Sequence, residues 1–182
     1  MPAHRCARHR ERGAAQGAAY PREAAGHRAE TFLSTRFKRP ESVLVVVHTG
    51  EGQVLQLLRR EPPGFWQSVT GSLAPGESPL KAALREVREE TGLDAGAGLT
   101  DTGAINRYPI HPAWRSRYAP GVRENVEHVF SLSLPETVDI RLSPAEHVEY
   151  RWLPREAASG LAASATDRAA ILALVPASQP SA

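Results

Sequence analysis

Three glutamates at helical spacing carry side chains that could hold a divalent cation. Glu86, Glu89 and Glu90 stand at i, i+3 and i+4, so a helix places their carboxylates on one stripe. Like charges at these spacings repel one another and destabilise an isolated helix. Hard carboxylate oxygens are the ligands that Mg²⁺ takes together with substrate phosphates. A stripe of this kind on its own is more typical of a solvated acidic face. Here the cation site is preferred, because Gly71, Glu77, Arg85 and Gly92 also stand in register with the glutamates.

A capped helix must position these glutamates. Ser78 is a good N-cap, Pro79 suits the first turn, and Gly92 supplies a C-terminal stop. We expect Arg85 and Glu89 to form an i, i+4 pair that orients the carboxylate. The apolar face, which we expect to pack on a sheet opposite the acidic stripe, consists of Leu80, Ala83, Leu84 and Val87.

The whole segment fills a known pattern. Residues 71–93 read GSLAPGESPLKAALREVREETGL and satisfy all nine specified positions of G-x5-E-x7-R-E-U-x-E-E-x-G-U, with U aliphatic. This pattern resembles the Nudix box of hydrolases that cleave nucleoside diphosphates linked to another group. The resemblance implies Mg²⁺ as cofactor, with Mn²⁺ as an alternative. Strands mixed with two or three helices also predict the α/β class, as an α/β/α sandwich around a mixed sheet, and this is the Nudix fold.

The segments around the box narrow the resemblance. They are FKRPESVLVV at 37–46, LLRR at 57–60, FWQSVTGS at 65–72, RYAPGV at 117–122 and YRWL at 150–153. Together they resemble the bacterial dihydroneopterin triphosphate pyrophosphohydrolases of folate biosynthesis, over residues 37–174. The resemblance implies Mg-dependent hydrolysis of 7,8-dihydroneopterin triphosphate to the monophosphate and pyrophosphate. Residues 94–114 match weakly.

The same resemblance implies roles for individual residues. The implied metal-binding residues are Glu86, Glu90, Glu146 and Glu89, the implied catalytic residues are Glu89, Glu86 and Arg85, and the implied substrate-binding residues are Lys38, Arg59, Thr70 and Ser164. The general base stays open among Glu89, Glu86 and Glu146. A triphosphate carries about four negative charges, which cationic side chains such as Lys38 and Arg59 can partly neutralise.

Plainer roles stand beside these. Lys38 could be a solvated residue before the first strand, Arg59 could flank a hairpin, and Ser164 could cap a helix. Trp66 is more typical of the core than of a pterin platform. The loop residues Arg115, Arg117 and Tyr118 could line a pocket. His111, His128 and His147 lack metal-ligand spacing, so we expect them to be structural or on the surface.

Two other functions remain as alternatives. The first is a Nudix hydrolase of (deoxy)nucleoside triphosphates or dinucleoside polyphosphates, which would serve to cleanse the nucleotide pool. The second is a non-catalytic Nudix-fold binding module, although such a module should lose box carboxylates and none is lost here. The expected partner is a small-molecule pterin triphosphate, with neither a nucleic acid nor a membrane as partner. The sequence does not indicate an oligomeric state.

Composition divides the chain into three parts. Its length of 182 residues suits one domain, which we place at residues 36–176. Residues 1–35 are predicted to be a disordered basic Ala/Arg-rich extension without a catalytic role, with a transit peptide or a nucleic-acid tether as alternatives. Residues 177–182 are predicted to fray. The single Cys6 excludes an internal disulfide framework and favours a reduced, cytoplasmic setting.

Periodicity predicts the remaining elements. Strands are expected at residues 42–49, 53–59, 65–70, 125–134 and 146–153, and further helices at 154–161 and 165–175. Residues 94–102 are Gly-rich and predict a loop. Residues 103–124 contain three prolines and predict a long connection of functional character.

Overall fold

The computed structural model describes residues 37–177. Its strands are β1 (Glu41–Thr49), β2 (Gln53–Arg59), β3 (Trp66–Gln67), β4 (Val69–Ser72), β5 (Leu99–Pro109), β6 (Glu124–Leu134) and β7 (His147–Pro154), and its helices are α1 (Pro79–Thr91), α2 (Arg155–Leu161) and α3 (Ala165–Leu174). The predictions for residues 1–35, Cys6 among them, and for the end of the chain after residue 177 lie outside the described residues.

The strands form one mixed sheet. Its order is β3-β2-β1-β6-β5, while β4 pairs with β1 and β7 pairs with β2. The β1–β6 pair is parallel, and the other pairs are antiparallel. Helix α1 packs on one face, and α2 with α3 packs on the other. The predicted α/β/α sandwich is therefore confirmed.

The position of β1 between the two helical layers explains its continuous apolar run. Val43 and Val45 join the core beneath α1, whereas Leu44 and Val46 join the core beneath α2 and α3. Because successive side chains of a strand point to opposite faces, a strand covered by helices on both sides needs apolar residues at every position. The run in the sequence thus marks the middle of the sandwich.

The region between α1 and β6 differs from the prediction. The predicted loop at 94–102 and long connection at 103–124 contain an 11-residue strand, β5, followed by a 3₁₀ segment at Pro112–Arg117. Strand β5 lies at the edge of the sheet and is exposed along much of its length. An edge strand with few buried positions leaves no clear apolar alternation, so its sequence resembled a loop.

The other boundaries agree closely. The predicted strand at 65–70 is two short strands, β3 and β4, and the remaining predicted strands and helices match within one residue at each end. Among residues 37–177, no helix is long and apolar enough to cross a membrane.

Candidate functional site

Helix α1 has the predicted ends. Ser78 is the N-cap and accepts a hydrogen bond from the Lys81 amide at 3.4 Å, and Pro79 occupies the first turn. Gly92 ends the helix with φ of 73°, a left-handed conformation that favours glycine. The local signals of the sequence were therefore sufficient to place the glutamates on a helix.

The burial of α1 differs from the prediction. Leu80 is 48 % exposed, so its assignment to the packed face was wrong. Glu86 and Glu90 lie on the buried side, at 7 % and 0 % exposure, while Glu89 is exposed. The reason is geometric, because Glu86 stands one turn after Ala82 and Ala83, and Glu90 stands one turn after Val87, and all three apolar residues pack on the sheet. Two of the three glutamates of the acidic stripe thus face the protein, and Glu89 faces solvent.

Gly71 makes room for one of these carboxylates. A β-carbon built at Gly71 would lie 1.8 Å from Cδ and from Oε1 of Glu86, far inside van der Waals contact. Strand β4 therefore lets the Glu86 side chain pass its backbone only because residue 71 has no side chain. This close approach explains why the pattern requires glycine at the strand end.

Arg85 ties the acidic residues together. Its Nε and Nη2 donate to the two carboxylate oxygens of Glu77 at 2.9 and 2.8 Å, and Nη2 also donates to the Ser72 carbonyl at 3.2 Å. Its Nη1 donates to Glu86 at 2.6 Å and to Glu89 at 3.1 Å, which confirms the expected contact with Glu89. The Arg85 hydrogen bonds hold the pKa of Glu77 at about 2. One guanidinium thus fixes three carboxylates.

Burial makes a negative charge on Glu86 or on Glu90 unfavourable. Burial raises the pKa of Glu86 to about 7, against the opposing effect of Arg85. Burial also raises the pKa of Glu90, and His147 opposes that shift. A bound cation would relieve both penalties by supplying positive charge.

A group of three residues could hold such a cation. Donor atoms of Glu90, Glu146 and His147 all lie within 4.8 Å of one another, and His147 Nε2 is 3.3 Å from Glu90 Oε1. Within the described chain, neither Glu90 oxygen makes a hydrogen bond of standard geometry, nor does either ring nitrogen of His147. Fully buried polar atoms of this kind are unfavourable without a partner, so the donor set fits a divalent metal.

A cleft of about 690 Å³ joins the predicted residues. The predicted site residues that line it are Lys38, Arg59, Thr70, Arg85, Glu86, Glu89, Glu146 and Ser164. Glu90 does not line the cleft, since it is fully buried beneath it beside His147. The structure therefore gathers every predicted position around one cavity, and their chemical roles stay predictions.

One end of the cleft is strongly cationic. Burial lowers the pKa of Lys38, and the nearby charges of Arg117 and Arg59 lower it further. Glu86 and Glu146 oppose this shift. The Lys38 amide donates to the Arg117 carbonyl at 2.7 Å, which ties the 3₁₀ segment to the chain before β1. The cationic end of the cleft therefore suits a ligand with several negative charges. The nearby Glu86 and Glu146 suit a cation that accompanies this ligand.

The first turn of helix α3 also lines the cleft. Ser164 caps it by accepting from the Asp167 amide at 3.3 Å, so the expected capping role is confirmed, and the same residue lines the cleft. Asp167 is 1 % exposed, and it accepts from the Ser68 amide at 2.8 Å and the Ser68 hydroxyl at 2.7 Å. These bonds fasten α3 to the link between β3 and β4.

Asp167 should give the apoprotein a measurable pH dependence. Burial raises its pKa from 3.8 to about 6, against the Ser68 hydrogen bonds. An acid whose pKa rises on folding holds its proton more tightly when folded, so stability falls as pH rises across this interval. Relative to Asp167→Asn, the wild type should lose up to about 3 kcal/mol between pH 4 and 7. Urea unfolding without divalent cations measures this, and parallel pH profiles would contradict it.

His147 lies in the interior of the protein beside Glu90. His147 was expected to be structural or on the surface; its burial agrees with a structural role, and it also belongs to the group that could hold a metal. Its position directly after Glu146 was the only sequence signal for its place in this group.

Trp66 is 7 % exposed, and the Arg151 guanidinium lies over its ring at 4.7 Å from the ring centroid, which agrees with a core role. Arg117 and Tyr118 line the cleft, whereas Arg115 donates to the Ile110 carbonyl at 3.2 Å.

Comparison with known proteins gives a consistent result. The NUDIX domain profile matches residues 38–175. Dihydroneopterin triphosphate diphosphatase of Escherichia coli K12 is 44% identical over 139 residues, which cover 74% of this chain and 91% of the relative. The Haemophilus influenzae protein of the same name is 35% identical, covering 77% and 90% of the two chains. The solved E. coli dihydroneopterin triphosphate pyrophosphohydrolase superposes with a TM-score of 0.71 at 43% identity, covering 76% and 97%.

Proposed function

Because the chain belongs to the Nudix family, we propose that it hydrolyses 7,8-dihydroneopterin triphosphate to the monophosphate and pyrophosphate. The observation that carries this proposal is 44% identity over 139 residues to an enzyme named for that substrate, across 91% of its length. We place the reaction in folate biosynthesis, in the cytoplasm. The nucleotide-directed and non-catalytic alternatives have no comparable support.

We assign the cation to the group beneath and beside Gly71. Glu90 and Glu146, whose donor atoms lie close to those of His147, would hold Mg²⁺, and Glu86 would join them from the cleft. The buried oxygens of Glu90 are the feature that calls for a cation. When bound, a divalent cation offsets phosphate charge and polarises water for attack. Carboxylate oxygens suit hard cations such as Mg²⁺ and Mn²⁺.

The cationic end of the cleft would bind the triphosphate. Lys38 and Arg59 line it together with Arg117, and an arginine can contact two phosphate oxygens at once. Thr70 and Ser164 add hydroxyl groups that can donate to phosphate or ring oxygens. These side chains would fix the position of the scissile bond relative to the carboxylates.

A carboxylate of the cleft would accept the proton of the attacking water. Glu86, Glu89 and Glu146 all line the cavity, so each is within the region that substrate and water can reach. Arg85 holds Glu86 and Glu89 in fixed orientations and so limits the reorganisation needed during the reaction. Arg85 acts as a positioning residue in this account.

A substrate panel tests the proposal. With Mg²⁺, kcat/KM for dihydroneopterin triphosphate should exceed that for dATP and 8-oxo-dGTP by at least about tenfold, a difference of about 1.4 kcal/mol in the barrier. All substrates should be compared on one enzyme preparation at equal free Mg²⁺. Equal or faster cleavage of either nucleotide would assign the enzyme to the nucleotide pool instead.

A further inference from the structure

A buried carboxylate lies in the cleft away from the cation group. Glu127 is 4 % exposed and lines the cavity. Its Oε2 accepts from Asn106 Nδ2 and its Oε1 from Tyr108 Oη, both at 3.1 Å. Neither donor is a cation, so these contacts leave the negative charge of Glu127 uncompensated. The residue is therefore unsuited to phosphate and suited to a ligand that donates hydrogen bonds.

Neighbouring side chains hold this carboxylate in place. Asn125 Nδ2 donates to Ser42 Oγ at 2.7 Å and to Tyr108 Oη at 3.0 Å. Because Tyr108 accepts from Asn125, its own proton is directed to Glu127. Burial and the charge of Glu127 raise the pKa of Tyr108 to about 12, which keeps the phenol protonated and donating. The orientation of Glu127 is thus set before any ligand arrives.

Glu127 retains capacity to accept further hydrogen bonds. Each carboxylate oxygen has two lone pairs, about four acceptor sites in all, and Asn106 and Tyr108 use two of them. Two parallel donors on a planar ligand can bind both oxygens of one carboxylate. Glu127 can therefore receive an adjacent pair of N–H groups from the cleft.

The sheet register sets the spacing between the strand that carries Glu127 and the strand beside Glu86, and both side chains line the same cleft. Glu127 is the register partner of Ser42, and Ser42 is the partner of Ser72 on β4. Two strand spacings, about 10 Å, therefore separate Glu127 from the strand that Glu86 passes. A molecule with a ring system at one end and phosphates at the other can occupy both positions.

We propose that Glu127 recognises the 2-amino group and the adjacent ring N–H of the substrate heterocycle. A pterin presents these two donors side by side, and guanine presents the same edge. This inference rests on the proposed function only for the identity of the natural substrate. It adds a residue that selects 2-amino-4-oxo rings over rings without the amino group.

Binding of GTP and ITP tests the inference without turnover. The two nucleotides differ by the 2-amino group alone, and their dissociation constants can be measured by calorimetry in the absence of divalent cations. We expect the wild type to bind GTP about 10- to 100-fold more tightly than ITP, since a hydrogen bond to a charged group is lost with ITP. In Glu127→Gln, which keeps one neutral acceptor and loses the charge and the second acceptor, the ratio should fall several-fold below that of the wild type. Glu124→Gln, an exposed glutamate on the same strand, should keep the wild-type ratio.

The outcomes separate this inference from the proposed function. A wild-type protein without preference for GTP overturns the inference even if Glu127→Gln fails to fold, and so does a variant that keeps the wild-type ratio. If the GTP preference depends on Glu127 but dihydroneopterin triphosphate is a poor substrate, the proposed function fails and the role of Glu127 stands. If that substrate is turned over efficiently and the GTP/ITP ratio is one, only the inference fails.

Discussion

Glu90→Gln should lower kcat for dihydroneopterin triphosphate by about a hundredfold to ten-thousandfold, the range expected when a group essential to the chemistry is lost. Glu90 is fully buried with His147 Nε2 at 3.3 Å from its Oε1, and neither of its oxygens makes a hydrogen bond of standard geometry among the described residues. Glutamine keeps the shape of the side chain, but it removes the negative charge and replaces one carboxylate oxygen with an NH₂ group that cannot bind a cation. Steady-state kinetics at saturating Mg²⁺ measures the loss.

Stability distinguishes a lost cation site from a damaged fold. Because burial disfavours the charge of Glu90, the metal-free variant should melt at the same temperature as the wild type or higher. Mg²⁺ should raise the melting temperature of the wild type, and this shift should be absent in the variant. Glu156→Gln, which alters an exposed glutamate on α2, should behave as wild type. Retention of both turnover and the Mg²⁺ shift by Glu90→Gln would remove Glu90 from the cation site.

Gly71→Ala should lower kcat by about a hundredfold while leaving the fold intact. The added methyl would coincide with the Glu86 carboxylate, 1.8 Å from its Cδ, so the end of that flexible side chain must move. A displacement of this size at a reacting group can cost about a hundredfold in rate. Kinetics and thermal unfolding should be recorded together, because the prediction is loss of activity with little loss of stability.

A matched glycine provides the control for this substitution. Gly50 has no atom within 4 Å of a built β-carbon, so Gly50→Ala should leave both activity and melting temperature close to wild type. Wild-type turnover by Gly71→Ala would show that the position of Glu86 beside β4 is not needed for the reaction.

Local signals predicted the ends of helix α1 well. Ser78, Pro79 and Gly92 act within one turn of the residues they affect, so their effect is visible in the chain itself. The two faces of α1 were harder to predict. The face of α1 that meets the sheet depends on the contact between α1 and β4. Gly71 leaves room for the Glu86 side chain on this buried face, where an apolar residue is usual.

Non-local contacts account for the other differences. Strand β5 is stabilised by pairing with β6 and not by an apolar pattern of its own. His147 meets Glu90 because β7 returns to the sheet beside β2, a pairing that residue spacing cannot reveal. Glu127 did leave a signal, since Asn125 and Glu127 place polar residues on the strand face that continues with buried Val129. A polar pair on a buried strand face is a reason to expect a ligand.

We propose that the carboxylates around Gly71 cleave a pterin triphosphate to pyrophosphate. Product analysis after complete reaction of purified protein with dihydroneopterin triphosphate and Mg²⁺ tests this proposal. We expect one pyrophosphate and one dihydroneopterin monophosphate per substrate, with no orthophosphate formed. Release of orthophosphate, or recovery of unreacted substrate under conditions where the protein binds Mg²⁺, would contradict it.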